Sequence, residues 1–207
     1  MTKRDPAAPA AAIYLASASP RRRELLAQIG VPHEVLRVPA PPGEDEPWHP
    51  GESAADYVER TAREKAERAM AWIDAQRLPA LPVLAADTTV IKDGMVLGKP
   101  ADRDDARRIL RLLSGSRHEV RTAVVLAHGP RRDMLVSVTA VDMRELSDDE
   151  IDRYCDSGEP WGKAGAYGIQ GLAGCFVARI EGSYTGVMGL PLYETAALLA
   201  RVGVRRP

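Results

Sequence analysis

The stretch Ile13-Tyr14-Leu15-Ala16-Ser17-Ala18-Ser19-Pro20-Arg21-Arg22-Arg23 joins a short apolar run to the start of a helix. Ser19 is a favoured N-cap residue, and Pro20 suits the first helical position. Apolar residues then recur at helical spacing until Gly30, a residue type that is favoured just after a helix end. The pattern predicts a buried strand that leads directly into a helix, which is the unit from which α/β folds are built.

Strand and helix patterns alternate along the rest of the chain. Strands are predicted at 34–38, 82–86, 90–91 with 95–97, 120–127, 134–141 and 175–180, and helices at 53–73, 102–113, 148–157 and 193–202. A proline-rich, acidic loop covers residues 39–51. We expect an α/β fold with a mixed sheet, in which residues 13–207 form one domain after a disordered tail at 1–12.

The composition is that of a globular protein with balanced charge. Hydrophobic residues make up 45% of the 207 residues, and 28 basic residues oppose 29 acidic ones. Binding nucleic acid through overall charge requires a large positive excess, so any bound polyanion must be held by a local cluster. No apolar run approaches the roughly 20 residues of a membrane span, and the two cysteines match no metal-binding spacing. We expect a cytoplasmic protein with reduced thiols that binds neither membranes nor nucleic acid.

The first candidate site is the predicted helix start after the first strand. Free backbone N–H groups and the positive end of the helix dipole suit an anion there. Ser17 and Ser19 add hydroxyls at this point, and Arg21 and Arg22 add guanidinium groups. The dipole disfavours cations in a first helical turn, so their presence favours a phosphate ligand. A solvated, arginine-rich turn is the alternative.

Asp87 is the second candidate. It directly follows the predicted strand at 82–86 and precedes Thr88. Open α/β sheets bind ligands at the carboxyl ends of strands, where a carboxylate can hold Mg²⁺ or orient a water molecule. The alternative is an aspartate that only caps the following turn.

Two further charged segments are candidates to serve the same ligand. Lys99 lies between a glycine and a proline, and a compact ammonium on a stiff turn suits a phosphate. A lysine that simply faces solvent explains this turn equally well. The loop at 39–51 contains Glu44, Asp45 and Glu46, which are either a source of a second metal-binding carboxylate or a solvated run of charge.

Small residues dominate the segment Lys163-Ala164-Gly165-Ala166-Tyr167-Gly168-Ile169-Gln170-Gly171. Backbone that carries no side chain can approach a ligand closely. Lys163 adds a cation to this segment, Tyr167 a ring that can stack on a base, and Gln170 an amide that can read a base edge. The alternative is a plain glycine-rich connection.

Taken together, these segments resemble the Maf family of nucleoside triphosphate pyrophosphatases. The resemblance covers about residues 13–200, with the motifs in the right order. The segment 163–171 resembles the branch of the family that acts on dTTP and UTP. The matching motifs are Leu15-Ala16-Ser17-Ala18-Ser19-Pro20-Arg21-Arg22, Ala86-Asp87-Thr88, Gly98-Lys99-Pro100, Leu113-Ser114-Gly115, Gly182-Ser183-Tyr184 and Val187-Met188-Gly189-Leu190-Pro191-Leu192.

The resemblance implies an elongated mixed sheet with flanking helices, similar to the inosine triphosphate pyrophosphatases, and a ligand cleft at the strand ends. It implies hydrolysis between the α and β phosphates with a divalent metal such as Mg²⁺, Mn²⁺ or Co²⁺. Asp87 then falls on the position of the catalytic proton acceptor and metal ligand, with Lys99 as a second catalytic group. The acidic position before the long helix is better matched by Glu46 than by Glu44.

The same resemblance assigns the substrate contacts. Arg21, Thr88 and Gln170 fall on positions of substrate selectivity, and Arg22 on a position associated with phosphate binding. We expect the amide of Gln170 and the hydroxyl of Thr88 to pair with the pyrimidine edge.

Two other functions stay open at this point. A nucleic-acid-binding module built on the arginine cluster is disfavoured by the balanced charge. A nucleotide-binding regulator of septum formation, with no significant catalysis, is the stronger alternative because the family has been linked to division arrest. A homodimer is a further expectation.

Overall fold

The computed structural model describes residues 11–39 and 46–204, and in these ranges strands and helices alternate. The first ten residues, which carry most of the predicted tail, lie outside the described residues. The strands are β1 (Ile13–Leu15), β2 (His33–Val35), β3 (Val83–Lys92), β4 (Met95–Leu97), β5 (Arg117–His128), β6 (Arg131–Met143) and β7 (Val177–Glu181). The helices are α1 (Pro20–Gln28), α2 (Ala54–Gln76), α3 (Arg103–Leu113), α4 (Asp148–Asp156), α5 (Tyr184–Met188) and α6 (Leu192–Ala200).

The strands form one mixed sheet in the order β2-β1-β3-β5-β6-β7, and β4 pairs with β3. β1 is parallel to β2 and to β3, whereas the other pairs are antiparallel. Helix α2 covers one face of the sheet. On the opposite face, α1 and α6 enclose one part of the core, and α3 and α4 enclose another. The predicted α/β fold with a mixed sheet flanked by helices is therefore confirmed.

Several predicted boundaries rest on local signals and agree with the structure. Pro20 opens α1, and the side chain of Ser53 caps α2 by accepting a hydrogen bond from the Asp56 N–H group. Ser147 and Glu150 form a capping box at the start of α4, which agrees with the predicted helix at 148–157. Each of these signals acts within four residues, so it can be read without knowledge of the tertiary fold.

The predicted end of the strand at Ala86 is wrong. β3 continues through Asp87, because β5 pairs with it along the whole stretch from Val83 to Ile91. The hydrogen bonds to β5, a strand that is distant in sequence, keep β3 extended through the polar residues Asp87, Thr88 and Thr89. Asp87 therefore lies in the middle of a strand and not at its carboxyl end.

On the other edge of β3 the pairing with neighbouring strands is interrupted, and the candidate site lies at this interruption. β1 pairs only as far as Leu84, and β4 begins to pair at Val90. Among the described residues, 85–89 therefore have no strand neighbour on that edge. Since successive side chains of a strand point to opposite faces, Asp87 faces α2 and Thr88 faces the side of α1.

The segment at 175–180 also differs from its prediction. A 3₁₀ turn covers Leu172–Phe176, in which the Phe176 ring packs edge-on against Tyr154, and β7 begins only at Val177. Helix α5 was not predicted, since it is short and contains Gly186. In the described ranges, no helix has the length and apolar character that a membrane span requires.

Candidate functional site

A cleft of about 1000 Å³ opens along the interrupted edge of β3. The end of β1, the first turn of α1, the loop after β4 and the segment at 162–170 line it together. Positive charge predominates on its walls, so it suits a polyanion despite the balanced charge of the chain. The charged residues that line it are Arg21, Arg22, Arg37, Lys65, Arg68, Lys99 and Lys163 on the positive side and Glu46 and Asp87 on the negative side.

Asp87 is a buried carboxylate at the floor of this cleft, with 5% of its surface exposed. Its Oδ1 atom accepts a hydrogen bond of 2.6 Å from the ammonium of Lys65. Burial favours the neutral acid, but the charges of Lys65 and Arg22 outweigh burial and hold the pKa of Asp87 below its ordinary value. Asp87 is therefore ionised at neutral pH.

Lys65 joins two carboxylates, and sequence reasoning missed it. Its ammonium also forms an ion pair with Glu46. The backbone of Glu46 is in turn held against α2, because the Tyr57 hydroxyl donates to its carbonyl oxygen over 3.1 Å. Lys65 follows the buried Thr61 by four residues on α2, so a lysine on a core-facing stripe was the available signal.

The structure places Glu46 at the cleft, whereas Glu44 and Asp45 lie outside the described residues. Among the residues that the structure describes, no group of three or more histidine, cysteine or acidic side chains could hold a metal ion. Glu46 and Asp87 are nevertheless close enough for one cation, the Lys65 ammonium, to touch both. Such a pair fits Mg²⁺, which proteins bind with one or two carboxylates together with substrate phosphates.

Arg22 links three parts of the site. Its Nε atom donates to the Gly189 carbonyl oxygen over 2.7 Å, and its two terminal nitrogens reach the hydroxyls of Ser17 and Thr88 over 3.2 Å each. The guanidinium therefore fixes the start of α1 against β3 and the loop after α5. Each terminal nitrogen keeps one N–H group that this network does not use.

At the predicted helix start, no side chain among the described residues caps the backbone N–H groups of the first turn of α1. Ser19 occupies the N-cap position, but its side chain caps no backbone N–H group. Instead, its own N–H group donates to the Ser17 hydroxyl over 3.2 Å. No acidic residue lies in the first turn, and Arg21 is anchored there through a 3.3 Å bond to the Met188 carbonyl oxygen.

Lys99 and Lys163 also line the cleft. Lys99 is exposed and lines the cleft, and its loop is joined to the glycine-rich segment because the Gly165 N–H group donates to the Gly98 carbonyl oxygen over 3.0 Å. The ammonium of Lys163 donates to the Glu159 carbonyl oxygen. Burial, followed by repulsion from Arg21, lowers the pKa of Lys163.

The glycines of the segment at 163–171 pack against the protein itself. A Cβ atom on Gly171 would lie 2.3 Å from a carboxylate oxygen of Glu159, and one on Gly165 would lie 2.9 Å from Val90. These two residues thus allow close internal packing and not the close approach of a ligand that the sequence suggested. Gln170 is exposed and lines the cleft, as expected of a residue that reads a ligand.

Tyr167 does not offer the stacking ring that the sequence suggested. It borders the cleft, but only 6% of its surface is exposed, and its ring belongs to the core. Its hydroxyl is 2.8 Å from the Nε2 atom of His118, a buried residue of β5. The pair joins the glycine-rich segment to the sheet, which gives Tyr167 a supporting role. The alternation of His118 with Val120 and Thr122 along β5 was the signal for a buried histidine.

The buried His118 should make stability depend on pH. Burial, followed by the positive charge of Lys92, lowers its pKa from the ordinary 6.5 to about 4. As pH falls through this window the unfolded chain binds the proton first, so the free energy of unfolding should fall by ~3 kcal/mol between pH 7 and pH 4. Urea unfolding of wild type and His118→Gln at several pH values isolates this contribution, since the other groups titrate alike in both. Parallel curves for the two proteins would contradict it.

Comparison with known proteins gives the family. Residues 12–202 match the family model described as Maf-like protein. A dTTP/UTP pyrophosphatase of Bordetella parapertussis is 71% identical over 195 residues, which are 94% of each chain. A dTTP/UTP pyrophosphatase of Chromobacterium violaceum is 54% identical over 195 residues, which are 94% of this chain and 96% of that one.

Among solved structures, the Staphylococcus aureus Ham1 protein matches with a TM-score of 0.40 and 12% identity, over 63% of this chain and 71% of that chain. A likeness at this distance does not bear on function. The family model matches residues 12–202, a range that contains β1, the start of α1 and every segment that lines the cleft. The chain belongs to the Maf-like protein family.

Proposed function

We propose that this protein hydrolyses nucleoside triphosphates, dTTP and UTP first among them, to the nucleoside monophosphate and pyrophosphate. The observation that carries the proposal is the buried, ionised Asp87 at the floor of a cleft whose walls are mostly cationic. The names of the relatives agree with it, since proteins 71% and 54% identical are called dTTP/UTP pyrophosphatases.

The charges of the cleft suit a triphosphate. Arg21 and Arg22 lie at the start of α1, and Lys99 and Lys163 also line the cleft. These four cations neutralise a bound triphosphate chain, and the backbone N–H groups of the first helical turn add uncharged donors. These contacts hold the phosphates so that Asp87 faces the phosphoryl group under attack.

Asp87 has two possible uses for its charge, and both need it ionised. As a general base, it takes the proton of the attacking water. As a ligand, it holds a divalent metal together with Glu46 and the substrate phosphates. When bound, such a metal neutralises charge on the phosphoryl oxygens and lowers the pKa of a coordinated water. Lys65 forms an ion pair with each of the two carboxylates in the free protein.

Pyrophosphate release from a panel of nucleoside triphosphates tests the proposal directly. The panel contains dTTP, UTP, CTP, GTP and ATP, each with Mg²⁺, Mn²⁺ or Co²⁺, and EDTA removes the metal in a parallel series. We expect release from dTTP and UTP that stops in EDTA. Release from purine nucleotides alone would keep the reaction and overturn the substrate. A folded protein that releases pyrophosphate from no nucleotide would overturn the proposal.

A regulator without catalysis is the weaker alternative, and the panel separates the two. Such a regulator needs only to bind the nucleotide, whereas the cleft couples its cations to a buried carboxylate that a binding protein does not require. Binding of UTP without release of pyrophosphate would favour the regulator. The expected homodimer and the cytoplasmic location stay predictions.

The amide of Gln170 should contribute to substrate choice. It is exposed on the wall of the cleft, where it can bond to the edge of a base. We expect Gln170→Ala to lower kcat/KM for UTP and dTTP by about tenfold and to leave the low activity towards GTP unchanged, since a lost hydrogen bond affects only the base that uses it. Gln76→Ala, at the end of α2, is the matched control. An unchanged ratio of UTP to GTP turnover would remove Gln170 from the selectivity residues.

A further inference from the structure

A row of hydroxyl groups lies behind Thr88. The Thr88 Oγ1 atom is 3.2 Å from a terminal nitrogen of Arg22 on one side and 2.9 Å from the Thr122 Oγ1 atom on the other. The Thr122 hydroxyl in turn lies 2.8 Å from the Gly186 carbonyl oxygen. Thr122 is fully buried, so water does not alter this chain of contacts.

The directions of these hydrogen bonds follow from the number of hydrogens. A carbonyl oxygen can only accept, so the single hydrogen of the Thr122 hydroxyl points to Gly186. The contact between Thr122 and Thr88 then needs a hydrogen from Thr88, which is the only one left. Arg22 can only donate, so it gives its N–H group to Thr88. The whole chain therefore runs one way, from Arg22 through Thr88 and Thr122 to Gly186.

Thr88 consequently has no hydrogen left for a ligand. A hydroxyl oxygen carries two lone pairs, of which Arg22 takes one, so a single acceptor position stays free. Thr88 lines the cleft, and Gly189 beside it carries no side chain that covers this position, since a Cβ atom there would stand 3.5 Å from the Thr88 Oγ1 atom. Towards the cleft, Thr88 can accept a hydrogen bond but cannot donate one.

We infer that Thr122 is a positioning residue that sets substrate choice, because it fixes Thr88 as an acceptor and so requires an N–H group at the ring position that meets Thr88, which we assign to N3 of the pyrimidine. The inference rests on the proposed function, and it identifies the N–H group of the base as the feature that the site recognises. Uracil and thymine carry an N–H group at N3, whereas N3 of cytosine carries only a lone pair. A phosphate oxygen, which is an acceptor, is also rejected at this position.

Thr88 and Gln170 differ in how well they can adapt. The exposed amide of Gln170 has both a donor and an acceptor, and rotation presents either one to a base. The hydroxyl of Thr88 cannot exchange its donor and acceptor roles, because the Thr122 hydroxyl already donates its hydrogen to the Gly186 carbonyl oxygen. The Thr88 hydroxyl therefore discriminates between uracil and cytosine. This discrimination is lost when residue 122 can no longer accept the hydrogen bond from Thr88.

Binding of UTP and CTP, measured by calorimetry on the full chain, tests this inference together with kcat/KM for pyrophosphate release. We expect wild type to favour UTP by at least about tenfold. Thr122→Val keeps the shape of the side chain and removes the acceptor, which frees the Thr88 hydrogen for N3 of cytosine. The preference should then fall about tenfold, whereas Thr122→Ser should keep it. A general disturbance of the site would weaken both nucleotides equally and leave their ratio unchanged.

A second variant covers the case in which Thr122→Val does not fold. Thr88→Val removes the reading group itself, so the ratio of UTP to CTP should fall towards one. An unchanged ratio in either folded valine variant, or equal binding of UTP and CTP by wild type, overturns the inference. Wild type that favours UTP but releases no pyrophosphate contradicts the proposed function alone, and a ratio that then falls in the variants still supports the inference.

Discussion

Asp87→Asn is expected to lower kcat/KM for dTTP and UTP by about a thousandfold or more. The carboxylate is the negative group at the floor of the cleft, and an amide of the same shape can neither take a proton from water nor replace a carboxylate on a metal. Loss of a positioned general base costs typically 10²–10⁴-fold in rate. Pyrophosphate release at saturating Mg²⁺ measures the effect.

The fold should survive this substitution, so the loss can be assigned to chemistry. The amide oxygen can still accept the hydrogen bond of Lys65, and Lys65 keeps its ion pair with Glu46. Asp104→Asn is the matched control, since Asp104 is an exposed residue in the first turn of α3. Thermal unfolding of both variants should resemble that of wild type. Near-normal turnover by folded Asp87→Asn would remove Asp87 from the reaction.

The dependence on metal separates the two roles of Asp87. If Asp87 acts mainly as a ligand, a higher concentration of Mg²⁺ or Mn²⁺ should restore part of the lost rate, because weaker binding can be compensated by mass action. If it acts mainly as the base, the rate should stay low at every metal concentration. The two cases therefore predict different plateaus, and not only different midpoints, when the rate of Asp87→Asn is plotted against metal concentration.

The features that the sequence predicts well are those encoded within a few residues. Pro20 at the start of α1, the helix predicted at 148–157 and the paired strands predicted at 90–91 and 95–97 each follow from residues that are close together in sequence. The cationic cluster at Arg21 and Arg22 belongs to the same class, because helix geometry alone brings its charges to one end.

The features that the sequence does not predict depend on a partner distant along the chain. Asp87 lies inside a strand because β5 continues to pair with β3 along this stretch. On the other edge of β3, the strand β1 ends its pairing at Leu84. Both neighbouring strands are distant from Asp87 in sequence, so no local pattern contains them. Tyr167 lies in the core, where its hydroxyl is 2.8 Å from the Nε2 atom of His118, a residue distant in sequence. A local pattern records neither event.

Lys65 shows this limit most clearly, and its substitution is the second large effect that we expect. Within α2 its neighbours in sequence are mostly charged, and its position four residues after the buried Thr61 indicates only that it lies on the core-facing stripe. Only the packing of α2 on β3 brings its ammonium to both Asp87 and Glu46. Lys65→Met should lower kcat/KM at pH 7 by about a hundredfold, the cost of removing one preorganised electrostatic contact.

The pH profile of this variant identifies the cause. Without the ammonium, burial of Asp87 and repulsion from Glu46 both favour the neutral acid, so the pKa of Asp87 should rise. The acidic limb of the kcat/KM profile should therefore move to higher pH, and part of the activity should return as pH increases. Lys65→Arg keeps the charge and should keep the limb near its wild-type position.

Lys92→Met is the matched control, since the ammonium of Lys92 bonds to Asp93 at the far end of β3. Its profile should follow that of wild type. A Lys65→Met profile that is lower at every pH but unchanged in shape would mean that Lys65 supports the site sterically and does not set the charge of Asp87. A shifted limb would instead mean that this one helix residue holds Asp87 ionised until substrate and metal arrive.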